Sequence, residues 1–318
     1  MCGKDYLTAS RIIILLLVFP IVTLCLSQSD LPLDEQELLA RYIEIISQED
    51  LYGSFVATYT EMDLLYFIAT TDDNVHEFSI QSRNEGIEIV NYGDNPNGQN
   101  IVTVTYDEIN GDEIIHYVMD VEMRYVDGVL YVLAKYIEAT GDVAELPVGW
   151  VVADDPYDYP NGETIKLHYF LDYFEDGVLP ADEEITLAED IKIANATVRS
   201  VTMEQDEIDG IPMDIITFTY NDSLAKALLR QEAAEDEILN AFVNNIDNSD
   251  SFITIAVDAD NIIHSRVDHL DLGAVMLDSS LLPALPYNMT VEAGVSIIAT
   301  NVYSNVNEEL EPITAPEY

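Results

Sequence analysis

The chain is short of cysteine, tryptophan and positive charge, and each shortage removes a class of function. Its only cysteines, Cys2 and Cys25, lie in the N-terminal segment, so the rest of the chain has neither disulfides nor a thiol nucleophile. The single tryptophan, Trp150, offers little flat surface for stacking sugars. Twelve Lys and Arg stand against 60 Asp and Glu, a formal charge of −48. Phosphate backbones and anionic lipid headgroups are bound by Lys and Arg displacing counterions, so this field repels them and excludes an ordinary nucleic-acid binder. No Gly-x-Ser-x-Gly, Walker loop or Gly-x-Gly-x-x-Gly occurs, which removes the usual support for serine hydrolases and nucleotide binders. The five histidines show no metal-ligand spacing. His264 and His269 fall on opposite faces of a strand by parity, and His116 falls on a wet face. No cofactor, metal or catalytic residue is therefore expected.

What is present points to an exported, folded protein. Apolar residues make up 48% of the chain and charged ones 23%, enough hydrophobic material for a core. Lys4 and Arg11 precede the apolar run Ile12 to Leu26, and Ser27-Gln28-Ser29-Asp30 follows. Residues 1–29 read as a signal peptide cleaved after Ser27 or Ser29. The run is shorter than the roughly 20 apolar residues a spanning helix needs, and Pro20 interrupts it. Cys25 leaves a lipid-modified N-terminus open as the alternative, although Leu24 stands where that signal wants a small residue. The location is secreted or extracytoplasmic, attached to the envelope only if such an anchor is kept. Residues 30–318 form one domain, with 147–160 as a candidate junction between two half-sheets.

Periodicity assigns the elements. Asp34 to Ser47 is predicted helical, with Asp34 and Glu37 at capping spacing and Leu38, Tyr42, Ile45 and Ile46 on one stripe. Strands then dominate. From Ile114 to Tyr125 apolar residues alternate with His116, Asp120, Glu122 and Arg124, the pattern of a sheet wet on one side. Thr290 to Tyr303 alternates again, with Val291, Ala293, Val295, Ile297 and Ala299 on one face. Asn110-Gly111, Asp127-Gly128 and Asp209-Gly210 sit between strand-like runs, where tight hairpins need positive φ. Val129 to Ile137 is apolar throughout and predicts a central strand covered on both sides, by segments such as 164–174 and 222–245. Helices interspersed among hairpins make an α+β protein.

Acidic clusters carry little weight in so acidic a chain. Residues 107–113 and 247–250 only approximate a calcium loop, and solvated turns explain both. The 19 tyrosines include Tyr117, Tyr125 and Tyr131 at strand positions where a ring can line a pocket or fill a core.

Several stretches resemble a bacterial envelope family. They run from Tyr125-Val126-Asp127-Gly128-Val129-Leu130-Tyr131 and Leu146-Pro147-Val148-Gly149-Trp150-Val151 through Ile208-Asp209-Gly210-Ile211-Pro212-Met213, Ile253-Thr254-Ile255-Ala256-Val257-Asp258 and Ile263-His264-Ser265-Arg266-Val267. Ser304-Asn305-Val306-Asn307 and Ile313-Thr314-Ala315-Pro316 close the series. In this order they resemble the LppX/LprG type of exported lipoprotein, related to the LolA and LolB lipoprotein carriers. The resemblance implies a strongly curved antiparallel sheet, a partial barrel, with helices packed on its concave face and an apolar cavity between them.

The leading expectation is a non-enzymatic exported protein that binds a lipid or other apolar ligand between sheet and helices. Tyr117, Met119, Val121, Met123, Tyr131, Val295 and Ile297 are the expected lining, with Leu228 and Phe242 on a covering helix. Met119 and Met123 suit it because an unbranched thioether repacks around varied shapes. Two alternatives stand beside it. One is a cell-surface interaction module with a closed core and an envelope protein partner; the other is a hydrolase with carboxylates converging in a cleft.

Overall fold

The computed structural model describes residues 33–49, 52–92, 96–153, 198–208, 210–220, 237–246, 250–281, 283 and 288–317. Outside them lie the expected signal segment with Cys25, residues 164–174, the stretch 222–236 with Leu228, and the 154–160 part of the expected junction.

Among the described residues eleven strands form one antiparallel sheet. They are β1 (Ser54–Thr70), β2 (Val75–Asn91), β3 (Asn97–Asn110), β4 (Glu113–Val126), β5 (Val129–Thr140), β6 (Val151–Val152), β7 (Val198–Ile208), β8 (Ile211–Tyr220), β9 (Asp250–Val257), β10 (Ile263–Asp278) and β11 (Thr290–Ser304). The strand order is β6-β5-β4-β3-β2-β1-β11-β10-β9-β8-β7, so two meanders grow outward from a β1–β11 seam. Turn chemistry produces this. Asp127 (φ 54°) and Gly128 (φ 76°) together supply the two positive φ angles of a two-residue hairpin, and Gly210 (φ 81°) serves the β7–β8 turn. At the β3–β4 turn the loop is Gly111-Asp112, with Asn110 as the last strand residue.

The expected strongly curved partial barrel with helices on its concave face is not what forms. The sheet is open and not strongly curled: among the described strands β6 and β7 are its two ends, and each has a single neighbour. The cause is connectivity, because each meander adds strands to its own outer side and neither returns to the other. The helical layer is also thin. Two helices occur among the described residues, α1 (Leu33–Glu49) and α2 (Glu237–Asn245), and they meet the sheet at separate places, α1 at β7 and α2 at β10. Val129 to Ile137 falls in β5, next to the two-residue end strand β6, and Ile137 is exposed; it is not a central strand.

One face of the sheet is dry. In β1 the odd residues Phe55, Ala57 and Leu65 are buried, while Thr58, Met62 and Leu64 are exposed. The registers carry this inner face across the sheet. On the outer face His116 bonds Asp107 and Glu138, both at 2.8 Å; exposed Ile87 and Ile101 stand directly opposite each other there, and Thr58 separates Ile87 from exposed Val302. Helix α1 packs Leu39, Tyr42, Ile43 and Ile45 on Ile216, Phe218, Ile253 and Ile255. Full burial of each such side chain stabilises by about 1.5–3 kcal/mol, so this helix is held mainly by its apolar stripe. Asp34, expected as the cap, falls inside the helix, which begins one residue earlier at Leu33.

Candidate functional site

Alternation decides which side chains meet on the inner face. On β4, Tyr117, Met119, Val121 and Met123 all point inward and are buried, at most 3% exposed. They join Val102 and Val104 of β3 and Leu130, Val132 and Ala134 of β5 in one apolar cluster. Among the described residues, the side chains lying on this cluster from outside the strands come from Val143, Leu146 and Ala153, and none comes from a helix. Val295 and Ile297 also face inward, but on β11, where they join Phe242 of α2 in a second cluster. Tyr131 is paired with Arg124 and stands on the outer face, apart from both. The structure thus brings four of the expected residues together, three others together elsewhere, and sets Tyr131 aside. Leu228 and Cys25 are outside the described residues.

Between the clusters runs a polar band. Inward positions that would continue the apolar pattern of β1 are instead Tyr59, Glu61 and Asp63; Ser82, Asn84 and Glu88 of β2 and Asn100 of β3 lie beside them. The register sets Glu61 opposite Asn84 and Asp63 opposite Ser82. Ser82 Oγ donates to Asp63 Oδ2 at 3.0 Å, Tyr59 OH donates to Asn100 Oδ1 at 3.0 Å, and Asn100 Nδ2 donates to Glu88 Oε1 at 2.7 Å. Gly86 makes the second bond feasible. A Cβ there would lie 2.8 Å from the Tyr59 ring, so only glycine lets the ring cross β2. On the far side of the β1–β11 seam, Arg266 and Asp268 extend the band, paired at 2.8 Å.

Electrostatics in the band follow from burial. The Asp63 carboxyl is pushed up to about 6 because burial penalises its charged form, and the Ser82 hydrogen bond only partly offsets this. Burial, then the nearby Glu88 charge, drives the Tyr59 hydroxyl well above its ordinary range. Asn84 Oδ1 is buried with no hydrogen-bond partner among the described residues. The band is therefore rich in acceptors and suits a group that brings N–H or O–H donors. Among the described residues no three His, Cys, Asp or Glu are grouped to hold a metal ion. A shallow depression of about 290 Å³ lies between Pro96, Tyr125, Asp127 and Gly128, and Tyr125 also borders the β3–β5 cluster.

Sequence reasoning missed the band. The signal was available in β1, where Glu61 and Asp63 interrupt the inward series Phe55, Ala57, Leu65, but only the pairing partners on β2 and β3 show that they gather.

No protein-family description and no curated protein matches the sequence. Several solved structures are distantly similar, among them the following three. A DUF1329 family protein from Desulfovibrio piger is 10% identical, over 89% of this chain and 95% of that one, with a TM-score of 0.19. A Vibrio parahaemolyticus domain described as an outer membrane lipoprotein-sorting protein is 9% identical, over 80% and 91%, with a TM-score of 0.13. The Pseudomonas aeruginosa MucA/MucB complex gives 7%, 87% and 99%, with a TM-score of 0.11. None of the three is described as of the LppX/LprG kind, so that finer resemblance is not supported, and scores this low carry no role across.

Proposed function

We propose that this chain is an exported, non-enzymatic binding protein that holds a lipid or other apolar ligand against the inner face of β3, β4 and β5. The observation that carries this reading is the β3–β5 cluster itself, a continuous apolar surface on three neighbouring strands with the unbranched Met119 and Met123 on its central strand. Thioethers repack around a guest at low cost. Each buried methylene of an acyl chain would contribute about 0.8 kcal/mol, so ten of them bind firmly without a charged contact. The depression beside Tyr125 offers a point of entry, and the acceptor-rich band offers a place for a head bearing hydroxyl or ammonium donors.

The test is native mass spectrometry of the full chain after mild purification, followed by solvent extraction. The expected result is a bound mass in the lipid range that extraction removes, with uptake of a fluorescent fatty acid by the stripped protein. A chain that is repeatedly ligand-free and takes up no fatty acid overturns the reading and leaves the interaction module in its place.

A further inference from the structure

The two ends of the sheet differ in what they offer a partner. At one end β6 is two residues long, a rim too short to template pairing. At the other, β7 is eleven residues long, and from Thr202 to Ile208 every residue is exposed. The Val201 N–H donates to Glu35 Oε2 of α1 at 2.9 Å, away from β8. In an antiparallel pair the outward main-chain groups recur at every second residue, so Met203 and Gln205 also turn their N–H and C=O groups out of the sheet. Their side chains are fastened on the inner side. The Arg41 guanidinium reaches Met203 Sδ at 3.7 Å and Asp214 Oδ2 at 2.6 Å, and Gln205 Nε2 donates to Asp214 Oδ1 at 3.2 Å. Glu204 and Asp206 point to the opposite face, both exposed.

We propose that the outer rim of β7 is a docking edge for an extended, basic segment of another protein, which adds to the sheet as one more strand. Main-chain hydrogen bonds to Met203 and Gln205 supply affinity, and alternate side chains supply selection. Residues 200–220 contain Glu204, Asp206, Glu207, Asp209 and Asp214 and no Lys or Arg. A strand laid along this rim places every second side chain next to Glu204 and Asp206, where Lys or Arg is favoured and a carboxylate repelled. Its intervening side chains lie near Met203, 41% exposed, where an apolar residue fits. A second copy of this chain is the wrong partner, since it would set acid against acid between two bodies of charge −48. The same carboxylates that deter edge-to-edge aggregation thus select a partner of opposite sign. This surface is separate from the β3–β5 cluster and stands whether or not that cluster binds lipid.

The experiment uses the full chain and a fluorescent peptide alternating Lys and Val, with a Glu-Val peptide as control, read by anisotropy and by amide hydrogen exchange. Binding of the basic peptide alone, with slowed exchange at the Met203 and Gln205 amides, is the expected result. Gln205→Pro removes an outward N–H and no ladder bond, so it should weaken binding about fivefold with little change in Tm. Glu204→Lys with Asp206→Lys should reverse the peptide preference. If Gln205→Pro lowers Tm, Lys-Val peptides N-methylated at alternate residues make the same test on the unaltered chain. No binding at about 1 mM peptide, or binding that ignores these changes and leaves exchange at Met203 and Gln205 unaltered, overturns the proposal and assigns the attraction to bulk negative charge.

Discussion

The inner face is covered in two ways, and the contrast between them locates the candidate site. Over β7, β8 and β9 the cover is α1, fixed by shape-specific contacts: the Tyr42 and Phe218 rings lie 3.7 Å apart, and Arg41 is clamped to Asp214 at 2.6 Å. Over β3, β4 and β5 the described cover is the chain from Val143 to Ala153, tied down by bonds such as that from Tyr136 OH to the Ala144 carbonyl at 3.1 Å. Both flanks are dry. Among the described residues the cluster of the second contains Met119 and Met123, and the cluster under α1 contains no methionine. A helix docked through interlocking rings has one good position, whereas unbranched side chains under a connecting segment tolerate several.

Substitution should separate the flanks most sharply in stability. Phe218→Ala removes a fully buried ring from beneath α1 and is expected to cost about 3–5 kcal/mol in urea unfolding. On the other flank, Met119→Leu conserves volume and should cost less than about 1.5 kcal/mol. Comparable losses at the two sites would show that the β3–β5 cluster is packed as rigidly as the helix-covered one and would erase the contrast.

The sequence revealed the periods and not the meeting of strands. Period-two alternation located β4 and β11 nearly to the residue, and the stripe of Leu38 and Tyr42 located α1, because each signal is local. Asp127-Gly128 fixed a hairpin for the same reason: its positive φ angles belong to the dipeptide. Whether a meander closes is a long-range property. Nothing within β6 or β7 states that the other lies at the far end of the sheet, so an open sheet and a barrel share one alternation pattern. The run from Val129 to Ile137 misled because apolarity on both faces marks a central strand only when something covers both, and here Ile137 faces solvent. The candidate site was half legible. Tyr117, Met119, Val121 and Met123 share a parity within one strand, whereas the band of Glu61, Asp63, Ser82, Asn84 and Asn100 is assembled from three strands whose registers no local pattern declares.

The band differs from both flanks in responding to pH. Asp63 titrates near 6 in the folded protein, against an ordinary value of 3.8. The native state therefore holds this proton more tightly than the unfolded chain, and Asp63 lowers stability progressively as pH rises from about 4 to about 6, with the loss complete above that. Asp63→Asn keeps an acceptor for Ser82 and removes the charge. At pH 7 it should be more stable than the parent by on the order of 1–3 kcal/mol, with a flatter pH dependence across that window. Chemical denaturation at several pH values measures this, and a variant less stable at pH 7 would mean that the carboxylate charge is compensated where it lies.

The smallest effect is expected at the ion pair on the helix-covered flank, and its sign is the reverse. The Arg41 hydrogen bond holds the Asp214 carboxyl below its ordinary value. A depressed folded value makes the pair stabilising above the unfolded value near 4, and that contribution disappears as pH falls through the folded one. Arg41 and Asp214 are 31% and 22% exposed, so water and salt screen them. Arg41→Ala should then cost about 0.2–1 kcal/mol at pH 7 in low salt and nothing measurable at a pH where Asp214 is protonated. Acid thus moves the two carboxylates in opposite directions, relieving Asp63 in the band while releasing α1 from Asp214. Comparing Asp63→Asn with Arg41→Ala between pH 3 and 7 by thermal unfolding should show difference curves of opposite slope, and parallel slopes would place the two groups in one electrostatic environment after all.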